Sequence, residues 1–179
     1  MLRLIELQQE DLQKIKKGII EIEENPNPFD IRQSKVLIDY VKKNFEGLLE
    51  HLTERKKEEQ PAGWVPDTTL FLFDDDAFIG FYNIRHRLTE KLLERGGHIA
   101  YEVIPSQRGK GYVKRGLKMA LKWCLDTFGL ERVMISCDAE NIPSDRAMTS
   151  VMNEVGGERR EDIVIDGHVE RRVWINTKI

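Results

Sequence analysis

The feature that most constrains the fold is an apolar stretch that runs through a basic, glycine-containing loop into a helical pattern. HIAYEVIP, residues 98–105, predicts a strand. Apolar residues then recur at three- and four-residue spacing from Val113 to Phe128, which predicts a helix with one buried face. A strand that enters a helix in this way indicates an α/β fold, in which helices cover a sheet.

The loop itself carries an unusual charge. PSQRGKGYVKRG places four cations, Arg108, Lys110, Lys114 and Arg115, around Gly109 and Gly111. Cations are ordinarily unfavourable at a helix N-terminus, because that end already has partial positive charge. The glycines allow a tight turn that exposes backbone N–H groups, and the cations would add charge-assisted contacts. The pattern predicts a phosphate site; the alternative is a glycine turn that leads into a basic surface helix.

Two well-known phosphate fingerprints do not fit this loop. The motif G-x-x-x-x-G-K-S/T fails because position 104 is Ile and Gly111 follows Lys110. The motif G-x-G-x-x-G fails because Lys114 stands at the third glycine position. Neither a mononucleotide loop nor a dinucleotide fold is therefore indicated.

The rest of the chain alternates between strand and helix patterns. LRLIEL predicts a strand, and the helix after it ends at NPNP, because proline disfavours helical backbone before it. Helical spacing resumes from about Ile31 to Arg55. The later segments predict a hairpin, a short helix, a strand, a helix and a final hairpin, in this order: TTLFLFDDDAFIGFYNIRH, RLTEKLLERGG, LERVMISCDA, PSDRAMTSVMNEV and RREDIVIDGHVERRVWINT. We expect one α/β domain over residues 1–179, with a mixed, mainly antiparallel central sheet in one layer flanked by helices.

Composition excludes several classes of protein. A net charge of −3 argues against general nucleic-acid binding. No apolar run approaches the roughly 20 residues of a membrane span, and the N-terminus lacks a signal-peptide core. We therefore expect a cytoplasmic protein without nucleic-acid or membrane partners. Cys124 and Cys137 lie in apolar-periodic contexts and are predicted to be buried free thiols, and the four histidines show no metal-binding spacing, so we expect no metal.

Two stretches together carry a resemblance to a known family. YEVIPSQRGKGYVKRGLKMAL resembles the acetyl-coenzyme A motif of the GNAT family of N-acetyltransferases, a strand ending near Val-x-Pro followed by Q/R-x-x-G-x-G/A and a helix. Residues 108–113 fit that pattern, except that Val113 replaces the final Gly or Ala. ISCDAENIPS is similar to the next strand of the family, its Asn and the helix after it. The resemblance covers essentially the whole chain and extends to a bacterial subgroup of predicted acetyltransferases.

The resemblance implies acetyl-coenzyme A (acetyl-CoA) as cosubstrate and direct attack by a primary amine in a ternary complex. It implies that residues 1–60 form the acceptor side and 68–179 the cofactor-binding core. The strand at 101–103 would pair with the pantetheine arm, and the N–H of Val103 would polarise the thioester carbonyl. The implied cofactor-binding residues are Tyr101, Val103, Arg108, Gly109, Lys110, Gly111, Tyr112, Val113, Lys114, Asn141 and Ser144.

The resemblance also suggests catalytic and acceptor residues. Glu102 is the first candidate for the base, because its side chain alternates away from Tyr101 and Val103 and partial burial would raise its pKa. A solvated or salt-bridged glutamate is the equal alternative. Asn141 is the second catalytic candidate, and Ser144 could simply cap the following helix. The acceptor candidates are Arg85, His86 and His98, the last expected on the same side as Glu102. Either histidine could alternatively serve as the base, directly or through a water molecule.

One position departs from the family pattern. Many members carry a tyrosine seven residues after the Asn, as the acid that protonates the thiolate, and here that position is Met148. Either Tyr112 or another tyrosine substitutes, or the thiolate leaves unaided.

Three functions remain open on the sequence alone: an N-acetyltransferase for a small-molecule or peptide amine, a non-catalytic CoA-binding regulatory module, and a structural domain with a basic loop. A homodimer is a further expectation, with RRVWINT as an edge strand that pairs with a second subunit.

Overall fold

The computed structural model describes residues 1–29 and 31–179. Its helices, in chain order, are α1 (Leu12–Glu24), α2 (Arg32–Lys43), α3 (Leu48–Glu54), α4 (Glu90–Glu94), α5 (Tyr112–Phe128) and α6 (Ile142–Val155). Its strands are β1 (Leu2–Glu6), β2 (Asp67–Asp74), β3 (Ala77–Arg85), β4 (Ile99–Val103), β5 (Arg132–Asp138), β6 (Gly157–Arg159), β7 (Ile163–Ile165) and β8 (His168–Asn176). The expected α/β class, with mainly antiparallel strands and flanking helices, is confirmed.

The strands divide into two sheets, rather than the one layer that we expected. The first has the order β1-β2-β3-β4, and in the second β8 pairs with β5, β6 and β7; every ladder is antiparallel. The sheets meet where Gly97 bridges Ile135 and the N–H of His98 donates to the Met134 carbonyl at 2.7 Å. Gly97 has a φ of 60°, and a Cβ there would lie 2.3 Å from the Met134 oxygen. The seam therefore requires glycine.

The first sheet is covered on both faces. Tyr82 and Val103 belong to one core cluster together with residues of α5 and α6, while Phe71 and Phe81 belong to a second cluster together with α1, α2 and α3. Because side chains alternate along a strand, Tyr101 packs on the α5 face and Glu102 points to the α2 face. The predicted alternation of β4 is confirmed.

Three details of the predicted elements need correction. The helix expected from Ile31 to Arg55 is interrupted at Asn44, whose side chain accepts a hydrogen bond from the N–H of Gly47 at 3.3 Å and starts a new turn. The short strand β6 had no sequence signal. RRVWINT lies in β8, which has neighbours on both sides, so it is not an edge strand.

Other local predictions are confirmed. Asp166 and Gly167 form the final hairpin turn with φ values of 52° and 81°, as a two-residue loop of this kind requires. Cys124 and Cys137 are free and buried. Within the described ranges, no helix combines the length and the apolar character needed to cross a bilayer.

Candidate active site

The loop between β4 and α5 has the backbone that its sequence predicts. Gly109 and Gly111 adopt φ values of 76° and 74°, and a Cβ at either position would meet nothing within 4 Å. Glycine is therefore favoured at both positions by the left-handed backbone conformation and not by lack of space, and the loop surface above them is open. The first N–H groups of any helix lack an intrahelical acceptor, and Gly111, the N-cap of α5, has no side chain to accept a hydrogen bond from them. This is a surface that fits an anion.

Two residues that the sequence pattern did not single out fix the start of α5 on the sheet. The Tyr82 hydroxyl donates to the Val113 carbonyl at 2.9 Å. Below it, a Cβ added to Gly116 would lie 2.4 Å from the same hydroxyl oxygen. Only glycine lets the helix approach Tyr82 this closely. The contact spans 31 positions, so no local pattern points to it.

The four cations around the loop have four different partners. Lys110 donates to Gln107 at 2.9 Å and Lys114 pairs with Glu154 at 2.8 Å, while the Arg115 guanidinium lies 4.4 Å from the centre of the Tyr112 ring. Arg108 turns back toward β4, where its Nε donates to the Val103 carbonyl at 3.2 Å. Arg108 and Lys110 lie in the loop, whereas Lys114 reaches α6.

Glu102 is a buried carboxylate held from two directions. Its side chain is 2% exposed, and its Oε1 lies 3.3 Å from the Arg108 guanidinium. Its Oε2 accepts a hydrogen bond from the hydroxyl of Ser34 on α2. Burial raises the pKa of Glu102, while Ser34 and Arg108 favour the charged form and oppose that rise. Glu102 is therefore salt-bridged and perturbed at once, and its partner Ser34 was not foreseen.

A second polar group lies on the other face of β4. The Tyr101 hydroxyl is 2.9 Å from the Ser144 hydroxyl, and Asn141 accepts a hydrogen bond from the N–H of Ser144 at 3.3 Å. Asn141, not Ser144, is thus the N-cap of α6, which corrects the capping alternative. Burial raises the pKa of Tyr101 strongly. The structure brings Tyr101, Asn141 and Ser144 together at the start of α6.

The residues considered for the acid role have different surroundings. Met148 is fully buried in the core between α6 and the sheet. The Tyr112 hydroxyl donates to Asp74 of β2 at 2.9 Å, and this hydrogen bond raises the pKa of Tyr112. Tyr101 is the tyrosine whose hydroxyl lies at the α6 N-terminus.

His98 lies at the seam of the two sheets rather than beside Glu102. Its Nδ1 accepts a hydrogen bond from the N–H of Met134 at 3.0 Å, and its ring packs edge-on against Trp174. Burial, aided by the charge of Arg85, lowers the pKa of His98 to about 4. The imidazole is therefore neutral, with its proton on Nε2.

Arg85 and His86 contact the same end of the first sheet. The Arg85 guanidinium donates to the carbonyls of Gly96 and Gly97 at 3.1 and 2.9 Å. The Nε2 of His86 is 2.9 Å from the Thr68 hydroxyl, and its ring packs against Phe128, the last residue of α5. The loop precedes the first residue of that helix, and 17 residues of helix span about 25 Å. The structure does not bring these two residues together with the loop.

Comparison with known proteins agrees with this fold. The family model described as Acetyltransferase (GNAT) domain matches residues 2–151. This match covers most of the chain, and the chain belongs to the GNAT family of acetyltransferases. Its class is therefore that of an acyltransferase. No curated protein sequence matches the chain significantly.

Solved structures share the fold at low sequence identity. RimJ from Mycobacterium smegmatis in complex with CoA-disulfide has a TM-score of 0.69 at 19% identity, over 98% of this chain and 81% of that chain. Spermidine N-acetyltransferase SpeG from Vibrio cholerae in complex with CoA and spermine has a TM-score of 0.60 at 16% identity, over 98% and 95%. At these identities the likeness concerns the fold alone.

Proposed function

We propose that this protein transfers the acetyl group of acetyl-CoA to a primary amine by direct attack in a ternary complex. One observation carries the proposal. The buried Glu102 lies in β4, and an open loop with Gly109 and Gly111 in the left-handed conformation follows the same strand. The loop supplies N–H donors for a pyrophosphate, and the glutamate, which precedes the loop on β4, supplies a proton acceptor. Acetyl-CoA is a cosubstrate in this reaction, consumed at each turnover.

The orientation of β4 supports a role for its backbone in holding the pantetheine arm. The carbonyl of His98 accepts from Arg85 and the N–H of Ile104 donates to Ile79, so the backbone groups of these even-numbered residues point to β3. Because alternate residues point to opposite neighbours, the N–H groups of Tyr101 and Val103 point away from β3, on the side where β4 is the last strand of its sheet. We assign these groups to the pantetheine arm, with the Val103 N–H nearest the carbonyl.

The loop and the start of α5 would hold the phosphates. The donors are the N–H groups from Gly109 to Lys114, at the positive end of α5. Lys110 adds a side-chain cation in the same loop. Arg108 also lies there, and a phosphate would compete with Glu102 for its guanidinium.

Glu102 would take the proton of the attacking amine. As the nitrogen–carbon bond forms, the amine proton passes to the Glu102 carboxylate, and the carbon–sulfur bond then breaks to release a thiolate. Burial raises the pKa of Glu102, which brings its basicity closer to that of a general base at neutral pH. Tyr101, backed by Ser144 and Asn141, is the candidate that protonates the thiolate.

The acceptor is proposed to approach from the N-terminal segment, residues 1–60. Ser34 of α2 contacts Glu102, so this segment reaches the proposed base. One structural neighbour is a spermidine N-acetyltransferase, and spermidine is therefore one of the amines to test. Peptide and small-molecule amines complete the panel.

The first experiment is calorimetric titration with acetyl-CoA and with dephospho-CoA, followed by an assay of thiol release with the amine panel. Micromolar binding and amine-dependent thiol release are expected. Binding without release for any amine would favour a regulatory CoA-binding module. The absence of binding at millimolar acetyl-CoA would contradict the proposed phosphate site and favour a purely structural role for the loop.

The variant Glu102→Gln tests the base. We expect it to lower kcat by about 100-fold or more and to leave the affinity for acetyl-CoA nearly unchanged. Glu170→Gln is the matched control, because Glu170 is likewise buried and bonded to a serine, Ser136, at 2.5 Å. Equal losses in both variants, or an unchanged rate in Glu102→Gln, would remove Glu102 from the mechanism.

A further inference from the structure

Ser34 is placed where an apolar residue would be expected. The buried positions of α2 are Ser34, Leu37 and Val41, which follow the helical spacing of one apolar face. Ser34 is 8% exposed, so its hydroxyl is removed from water. A buried hydroxyl costs free energy unless it forms a hydrogen bond, and the bond that this one forms is to Glu102.

Stability alone does not account for this pair. A carboxylate on β4 and a serine on α2 must both be desolvated to meet, and in proteins generally a buried polar pair of this kind is often replaced by apolar residues of similar size without loss of stability. Removing only one partner, in contrast, leaves the other unsatisfied. We therefore look for the reason for the Ser34–Glu102 pair in the proposed role of the Glu102 carboxylate as the general base.

The contact also defines the state of Glu102. An ionised carboxylate only accepts hydrogen bonds, so Ser34 donates to Oε2 while Arg108 donates to Oε1. Both oxygens are thereby fixed, one from α2 and one from the loop before α5. A phosphate would compete for Arg108, but the bond from Ser34 would still hold Oε2, and general-base catalysis requires a carboxylate that keeps one orientation.

We infer that Ser34 is a positioning residue that orients the Glu102 carboxylate and supports its ionised form for proton abstraction. The inference rests on the proposed function, because it assigns to Glu102 the role of base. It extends that function by giving α2 a part in the chemistry, in addition to any contact with the acceptor.

The surroundings of Glu102 make the effect measurable in a pH–rate profile. Within residues 1–29 and 31–179, the groups that act on Glu102 are the Ser34 hydroxyl from α2 and the Arg108 guanidinium from the loop, and β3 presents Phe81 as the cross-strand neighbour. Loss of the Ser34 hydroxyl removes a donor that favours the charged form. The acidic limb of the profile must then move to higher pH.

The experiment compares wild type, Ser34→Ala, Ser34→Thr and the control Ser136→Ala, with kcat/KM measured from pH 5 to 9. Ser136→Ala removes the same kind of bond from the other buried glutamate, Glu170. We expect Ser34→Ala to lower kcat/KM about tenfold at neutral pH and to shift the acidic limb of the kcat/KM profile to higher pH, with the affinity for acetyl-CoA unchanged. Ser34→Thr keeps the hydroxyl and should restore the wild-type limb, and Ser136→Ala should keep that limb.

Each failure has a distinct meaning. Normal turnover by wild type, with a Ser34→Ala profile that superimposes on it, overturns the inference and leaves the proposed function intact. Equal shifts in Ser34→Ala and Ser136→Ala also overturn it, since the effect would then be structural. The absence of thiol release by the wild-type protein overturns the proposed function and the inference together. Urea unfolding of each variant identifies a loss that comes from folding.

Discussion

His98 makes the seam between the two sheets sensitive to pH. His98 is 5% exposed and accepts a hydrogen bond from the Met134 N–H through Nδ1. Protonation of Nδ1 would destroy that bond and place a second positive charge near the half-buried Arg85. We expect the variant His98→Asn to keep an acceptor near the position of Nδ1 and to remove the titration.

The magnitude follows from the two pKa values. In the unfolded chain a histidine titrates near 6.5, whereas in the folded protein the pKa of His98 is about 4. Between these values the unfolded state binds more protons than the folded state, so stability rises with pH and is lost as the pH falls through that window. The linkage relation gives a loss of about 2 kcal/mol at pH 5 and about 3 kcal/mol below pH 4.

Urea unfolding at pH 7.5, 6.5, 5.5 and 5.0 measures this loss directly. The free energy of unfolding of wild type minus that of His98→Asn should fall by about 2 kcal/mol from pH 7.5 to pH 5. The lost ring contact with Trp174 adds a constant offset, which cancels in the comparison across pH. A difference that is flat over this range would refute the assignment of a neutral, depressed histidine at the seam.

Two further predictions concern the helix over the loop and the free thiols. In an exposed helix Gly→Ala adds about 1 kcal/mol of stability. Gly116→Ala, in contrast, places a Cβ 2.4 Å from the Tyr82 hydroxyl and should cost about 1–3 kcal/mol of stability and weaken acetyl-CoA binding. Urea unfolding measures the stability and calorimetry the binding, and a stabilised variant would contradict the packing at this contact. Burial raises the pKa of Cys124 and of Cys137 to about 12. Neither thiol should therefore react with a disulfide reagent at pH 8 until urea unfolds the chain. Rapid reaction of the native protein would show that a thiol is accessible.

The strand, the loop and the first turn of α5 could be predicted because their signals are local. A run of apolar residues, two glycines and a 3.6-residue period each act within a few positions. The alternation of β4 is local in the same sense, and it suffices to predict that Glu102 and Tyr101 point to opposite faces. The break at Asn44 was missed, because apolar residues keep helical spacing on both sides of it while a single side-chain cap starts the new turn.

The partners of the site residues could not be predicted in this way. Ser34 meets Glu102 across 68 positions, and Tyr82 meets Val113 across 31. Such pairs depend on which helix covers which face of the sheet, and apolar periodicity gives a buried face without naming its neighbour. His98 is another residue whose partners the sequence did not predict. The two-residue period of a strand places His98 on the same side as Glu102. In the structure, the seam between the sheets begins just before β4, and the Met134 N–H donates to His98 there.

The sequence by itself determined the class of fold, the turned loop before α5 and the family, because each depends on residues that are adjacent along the chain. Only the tertiary structure decided that Glu102 is buried and held by α2 and the loop, that Asn141 rather than Ser144 caps α6, and that β8 is internal to its sheet. The physical reason is that desolvation and hydrogen-bond partners arise from the packing of distant segments, which no local pattern encodes.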